Sequence, residues 1–249
     1  MTAATIALLI AAAFAAGVMN SVAGGGSFLT FPALVFAGVP SVTANATNTV
    51  AMFPASLTAA WAYRHDFPKL DGISARTMLL ISLIGGATGA VLLIVTPEHT
   101  FNALVPWLLL AATLLFAGGK RLTPLLRRHV TIGPVTLAVV QYAISVYGGY
   151  FGGAMGIMML ALYGLFGLTN INSMNALKNL LSGSLNAVAV VCFVIAGQVD
   201  WGPAVMMLAS AMAGGYAGAH TARRMNPDHV RALIIAIGVT MTVIFFLRR

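Results

Sequence analysis

The sequence predicts an all-α polytopic membrane protein, and three observations predict it. First, 59% of the residues are hydrophobic and only 7% are charged. A soluble domain carries roughly 25% charged residues. This chain cannot clothe a water-facing surface with so few charges, so lipid has to cover much of it. Second, no Asp, Glu, Lys or Arg occurs between Met1 and Tyr63. A helix rises about 1.5 Å per residue and the hydrocarbon core is about 30 Å thick, so that stretch alone holds about three crossings. Third, apolar runs of helical length recur to the end of the chain, separated by short polar connections.

Ten spans are expected, near 4–21, 25–39, 43–62, 77–96, 100–119, 133–149, 152–168, 173–196, 203–221 and 231–247. The first is Ala-rich and lacks the basic start of a leader peptide, so it reads as a transmembrane helix. The second and seventh are short and begin at glycine clusters, which predicts broken or re-entrant segments. The net charge of +8 arises from basic residues in connections: Arg64, Lys69 and Arg76; Lys120, Arg121, Arg127 and Arg128; Arg223, Arg224 and Arg231. Those at Pro97–Glu98 and Gln198–Asp200 hold acids only. Basic loops mark the cytoplasmic side, which puts both termini outside; Arg248 and Arg249 are the one misfit. Basic residues are not interleaved with aromatics as in single-strand binders, so no nucleic-acid partner is expected. The lone Cys192 can form no internal disulfide and reads as a packing residue.

The chain also looks duplicated. Gly85–Ala90 resembles Gly214–Ala219, and Pro97-Glu98-His99 resembles Pro227-Asp228-His229. Gly38-Val39-Pro40 resembles Gly167-Leu168-Thr169, and Asn45-Ala46 resembles Asn175-Ala176. The four matches fall in the same order at an offset of 129 or 130 residues. Each half then holds five spans. Two odd halves in series must be inverted, and the basic and acidic loops exchange sides as inversion requires. The expected organisation is a first repeat over 1–119, a basic cytoplasmic linker over 120–132, and a second repeat over 133–249.

The candidate site lies at the two glycine-interrupted helices. In Asn20-Ser-Val-Ala-Gly24-Gly25-Gly26-Ser27-Phe-Leu-Thr30-Phe-Pro32, three glycines each disfavour helix by about 1 kcal/mol, and Pro32 removes a further backbone donor. The freed backbone groups need partners that lipid cannot provide, and a half-helix starting there directs its positive end at whatever binds. The counterpart is Tyr147-Gly-Gly-Tyr-Phe-Gly152-Gly153-Ala-Met-Gly156. Such a symmetric pair points to a transporter's binding site; close packing of small residues is the plainer alternative. Polar patches follow each cluster: Asn45 with Asn48, then Asn175, Lys178, Asn179, Ser182 and Asn186. Asn175, Asn179, Ser182 and Asn186 share one helix face. Lys178 is the only Lys, Arg, Asp or Glu between Val130 and Val199. An embedded cation marks a binding site or snorkels to the headgroups. Facing a cavity, it would attract an anion.

All five acids, Asp66, Asp71, Glu98, Asp200 and Asp228, are placed in loops, which argues against a proton relay through a buried carboxylate. Coupling to Na⁺ or H⁺ stays open. No zinc motif or Ser/His/Asp arrangement occurs, so neither an enzyme nor a bound cofactor is expected. The expected partners are a small anionic substrate and the lipid bilayer.

At Asn20–Ser27, at Pro32 with Asn45-Ala-Thr-Asn48, and at Tyr147–Gly156 with Ala176–Asn179, the chain resembles the sulfite exporter TauE/SafE family of membrane permeases. The resemblance covers essentially the whole chain. It implies a plasma-membrane permease, often an exporter, for sulfite, sulfoacetate, other sulfonates or related sulfur-containing anions. The expected mechanism is alternating access at a midplane site. A channel-like anion pore and a non-transporting membrane subunit are the alternatives.

Overall fold

The computed structural model describes residues 1–22, 25–127, 130–221 and 227–247. Every regular element among them is helical: α1 (Ala3–Val22), α2 (Ser27–Phe36), α3 (Ser41–Ala62), α4 (Ala75–Val95), α5 (Glu98–Arg127), α6 (Pro134–Tyr150), α7 (Met155–Leu165), α8 (Ile171–Ile195), α9 (Trp201–Thr221) and α10 (Pro227–Leu247). Four described segments, Ala3–Asn20, Ala75–Val95, Glu98–Gly119 and Ile171–Ile195, are long and apolar enough to cross a bilayer on their own. Large apolar side chains face outward all round, among them Leu80 and Ile84 on α4, Val135 and Val139 on α6, and Val239 and Val243 on α10. Such a surface requires lipid. The molecule is a multi-pass membrane protein.

Local signals fix the helix starts. The Ser74 hydroxyl caps α4 by accepting the Thr77 N–H at 3.0 Å. Asn170 Oδ1 caps α8, accepting from Asn172 N–H at 2.9 Å and Ser173 N–H at 3.4 Å. Pro134 opens α6, where its missing N–H costs nothing. α3 follows Pro40 and has no cap of its own; the Glu98 carboxylate, from the first turn of α5, accepts the Ser41 and Val42 N–H groups instead. Glu98 is thus the start of a helix, where its charge also meets the positive end of α5, and the loop assigned to it from sequence ends one residue earlier.

α5 is longer than expected. It runs through the basic stretch to Arg127, so residues 120–127 are helix where a linker was expected. Nothing in this stretch breaks a helix before Pro124, and Leu, Lys and Arg are good helix formers. Conversely, α2 has 10 residues and α7 has 11, so each is about 15–17 Å long, half the hydrocarbon thickness.

Contacts between ends define two faces of the bundle. Face I gathers the starts of α3, α5 and α9 and the ends of α4, α6 and α8: Glu98 reaches Ser41, Gln198 bonds Thr43, Thr47 bonds Asp200, and Tyr150 reaches Thr96. Face II gathers the start of α6 with the end of α7, where Ile132 N–H donates to the Leu165 carbonyl, and with the α3–α4 loop, where Gly72 lies on Pro134. α1 packs chiefly on α9, α4 on α6, and α3 on both α8 and α9. Each of these first-half helices is therefore completed by a second-half helix. The α1–α9 and α4–α6 seams bring backbones close together. A Cβ on Gly214 would run into the Phe14 carbonyl, and one on Gly89 into the Val146 carbonyl. Small residues permit this approach, which is how helices gain packing energy where lipid is as apolar as they are.

One polar network lies wholly inside the α4–α6–α7 corner. Gln141 Nε2 donates to Ser82 Oγ at 3.0 Å and Ser145 Oγ at 3.2 Å, and Tyr163 Oη donates to Gln141 Oε1 at 3.2 Å. All four side chains are fully buried. The network fastens half-helix α7 to α6 and α4.

Substituting Val at Gly89 or Gly214 should destabilise the protein by about 1–3 kcal/mol through overpacking. Gly118, whose Cβ direction is empty, should accept Ala with no loss. Thermal unfolding in detergent checks this, and equal losses at all three positions would contradict the seam packing.

Candidate substrate site

The first-half group forms around the gap between α1 and α2. α1 ends at Val22 and α2 begins at Ser27. Gly25 takes φ +92°, a conformation open to glycine and strained for other residues. Gly24 falls outside the described residues. Asn20 Oδ1 accepts the Gly26 N–H at 2.8 Å, replacing a helical bond that the gap removes. The Thr30 hydroxyl donates toward the Gly26 carbonyl and to Asn48 Oδ1, and Asn48 Nδ2 donates to Ser27 Oγ at 3.3 Å. One asparagine on α3 thereby ties down the first turn of α2. Thr30 and Asn48 are fully buried; Asn20 and Ser27 are half-buried. Asn45, one turn before Asn48, donates from Nδ2 to the Tyr150 carbonyl at 2.9 Å, while its Oδ1 is buried without a partner.

The second-half group forms at the gap between α6 and α7. Gly152 has φ +78°, and Ala154 is the only described non-glycine residue with positive φ, at 58°. Gly153 packs against the Phe151 ring. The Tyr147 ring meets Phe151 edge-on at 6.3 Å, and its hydroxyl is buried without a partner. On α8, Lys178 Nζ donates to Asn175 Oδ1 at 3.0 Å. Among the described residues no carboxylate lies within ion-pair distance of it. The Lys178 stem runs beside the start of α7, where a Cβ on Gly156 would stand 3.3 Å from Lys178 Cδ. Ammonium and helix N-terminus therefore act in the same direction. Ser182 Oγ donates to Met159 Sδ at 3.3 Å, fastening α8 to α7. Asn179 is half-buried and makes no side-chain hydrogen bond among the described residues.

The candidate residues thus fall into two groups rather than one. Asn20, Gly26, Ser27, Thr30 and Asn48 are joined by hydrogen bonds; Asn175 and Lys178 are joined by another. The Asn45–Tyr150 bond crosses between the halves here, reaching the α6 end next to Gly152 and Gly153. Asn48 lies seven residues after the face I start of α3, and Lys178 seven after the start of α8. Each is about 10 Å deep, from opposite faces. The Lys178 ammonium has three donors and uses one on Asn175, leaving two for an oxyanion. The Asn48 group offers neutral donors already engaged with one another. Sequence reasoning missed Glu98, Gln198 and Gln141. For Gln141 a signal existed, since it is the one amide in the otherwise apolar α6.

The helices among the described residues, with large apolar side chains facing outward, define a multi-pass membrane protein rather than a soluble binding module. The family model for the sulfite exporter TauE/SafE family matches residues 9–245, and the chain belongs to that family. It is 30% identical over 241 residues to the "probable membrane transporter protein ORF9" of a Sinorhizobium species, covering 96% of this chain and 91% of that one. It is 26% identical to a "probable membrane transporter protein" of Haemophilus influenzae, over 95% of this chain and 92% of that one. Identity to the "probable membrane transporter protein YfcA" of Escherichia coli K12 is also 26%, over 95% and 88%. No solved structure matches.

Asn48→Ala removes the partner of both Thr30 and Ser27. It should cost about 1–3 kcal/mol, the penalty of stranding buried polar groups, and thermal unfolding reads it directly. Asn179→Ala should cost less than a third of that, because no bond is lost.

Proposed function

We propose that this chain exports small sulfur-containing oxyanions, such as sulfite or organosulfonates, across the plasma membrane by alternating access. The observation that carries the anion is Lys178: an ammonium inside the bundle, beside the start of α7, with no carboxylate beside it among the described residues. A cation so placed is costly unless a counter-charge arrives. A mobile anion supplies that charge, and its tetrahedral or pyramidal oxygens can accept the two free ammonium donors. Asn175 orients the ammonium. Family membership supports the sulfur-oxyanion class.

Alternating access requires two arrangements of similar energy, and inverted repeats supply them. Reciprocal packing supports inversion: α1 packs on α9 as α6 does on α4, and α3 on α9 as α8 does on α4. So do matching glycine conformations, with Gly25 answered by Gly152 and Gly38 (φ +90°) by Gly167 (φ +102°). The repeats are 1–119 and 133–249. The loop carrying Arg64 and Lys69 lies on face II, so face II is cytoplasmic by the excess of positive charge there.

Lys178→Ala should weaken anion binding at least about tenfold, as loss of a charge-assisted bond does, and leave thermal stability unchanged. The anion is identified by thermal shifts with sulfite, sulfoacetate, thiosulfate, taurine and small carboxylates. Saturable flux with counterflow in proteoliposomes is the expected result. Linear flux without exchange would mean a pore, and unchanged affinity in Lys178→Ala would remove Lys178 from the site.

A further inference from the structure

We infer that the structure is a state closed on face I and open on face II, and that a hydrogen-bonded plug around the start of α3 is the face I gate. The start of α3 and the start of α8 are corresponding segments, with Asn45 and Asn48 answering Asn175 and Lys178. Their surroundings differ. On α3, Ser41, Asn45, Thr47 and Asn48 are 5%, 1%, 0% and 2% exposed. On α8, Asn170, Ile171 and Asn172 are exposed, and Asn175, Lys178 and Asn179 are half-buried.

The bonding differs in the same sense. The start of α3 is tied to three other segments. The Ser41 and Val42 N–H groups bond Glu98 of α5. Thr43 Oγ1 donates to Gln198 Oε1 at 3.1 Å, and Thr47 Oγ1 accepts the Asp200 N–H at 3.0 Å, both from the α8–α9 loop. Asn45 bonds the end of α6. The start of α8 is bonded to itself: Asn170 caps its own helix, and Asn175 accepts from Lys178. Among the described residues no side-chain bond ties residues 170–179 to another element. Two related segments in one chain, one sealed and one loose, are what a two-state transporter shows at a single instant. The charged half-site is the one left open, so the anion is taken up at Lys178 from face II. Opening face I then requires the release of Glu98, Gln198 and Asp200 from α3.

The test uses the chain's single cysteine. In a Cys192→Ser background, Ser27→Cys reports the first-half group and Asn179→Cys the second. Vesicles of each orientation are treated with a membrane-impermeant maleimide. Asn179→Cys should react from face II only, and Ser27→Cys should not react from face I. Adding Thr43→Ala with Gln198→Ala should raise Ser27→Cys labelling from face I about fivefold, the net worth of one hydrogen bond as a population shift. Should that double variant not fold, Glu98→Gln loosens the same plug. Reaction of Ser27→Cys from face I with the plug intact would overturn the gate. So would reaction of Asn179→Cys from face I, or a rate indifferent to the gate substitutions. The inference rests on alternating access, but labelling tests the gate alone; absent counterflow would sink the transport reading instead.

Discussion

A backbone group freed from its helix inside a bilayer has to find a partner within the protein, because lipid offers none. Much of this molecule is arranged around that constraint at two places. At the first gap, Asn20 takes the Gly26 N–H, and Asn48 holds the turn that follows through Ser27 and Thr30. At the second, the Tyr150 carbonyl receives Asn45 from the opposite half. Each gap is therefore stabilised by α3, and α3 is in turn held by Glu98, Gln198 and Asp200. The half-helices and the gate are parts of one bonded structure. A shift at the start of α3 cannot leave the gaps undisturbed.

Most of the helix layout was legible in the sequence because apolar runs and glycine stops are local properties. Ten helices appear where ten apolar runs stood. The end of α1 near Val22 and the start of α2 at Ser27 flank the glycine run that local propensity marks as a poor helix former. What the sequence hid was pairing across long separations. Thr43 and Gln198 meet over 155 residues, and no local pattern marks either. Glu98 looked like a loop acid because charge alone signals an aqueous position, yet its carboxylate finishes another helix. The basic run at 120–127 read as a linker by charge, while its helical propensity extended α5. Asn179 shows the converse: a polar position on the right face of α8 that the structure leaves without a bond.

Asn48 on α3 is bonded to Ser27 and Thr30, while Lys178 on α8 is bonded to Asn175 and keeps two donors free of it. The half-helices are also held differently. α7 is fastened by the Gln141–Tyr163 bond and by Ser182. α2 is embedded among aromatic rings, with Phe31 touching Phe101, Phe151 and Phe245. α2 is hydrogen-bonded as well, through Asn48 to Ser27 and Thr30.

The seam between α1 and α9 has a consequence for biosynthesis. Ile10, Phe14 and Gly17 lie against Ser210, Gly214 and Ala211 in the finished protein, and the helix that covers this side begins at Trp201. A ribosome adds about 5–20 residues per second, so α1 waits roughly ten to forty seconds in the membrane before its partner exists. Its sequence suits that wait. The seam face is built of Ile10, Phe14 and Gly17, which lipid solvates without penalty, and the polar Asn20 sits at the far end. α1 has α2 beside it well before α9 is made, and it gains its α9 seam only late in synthesis.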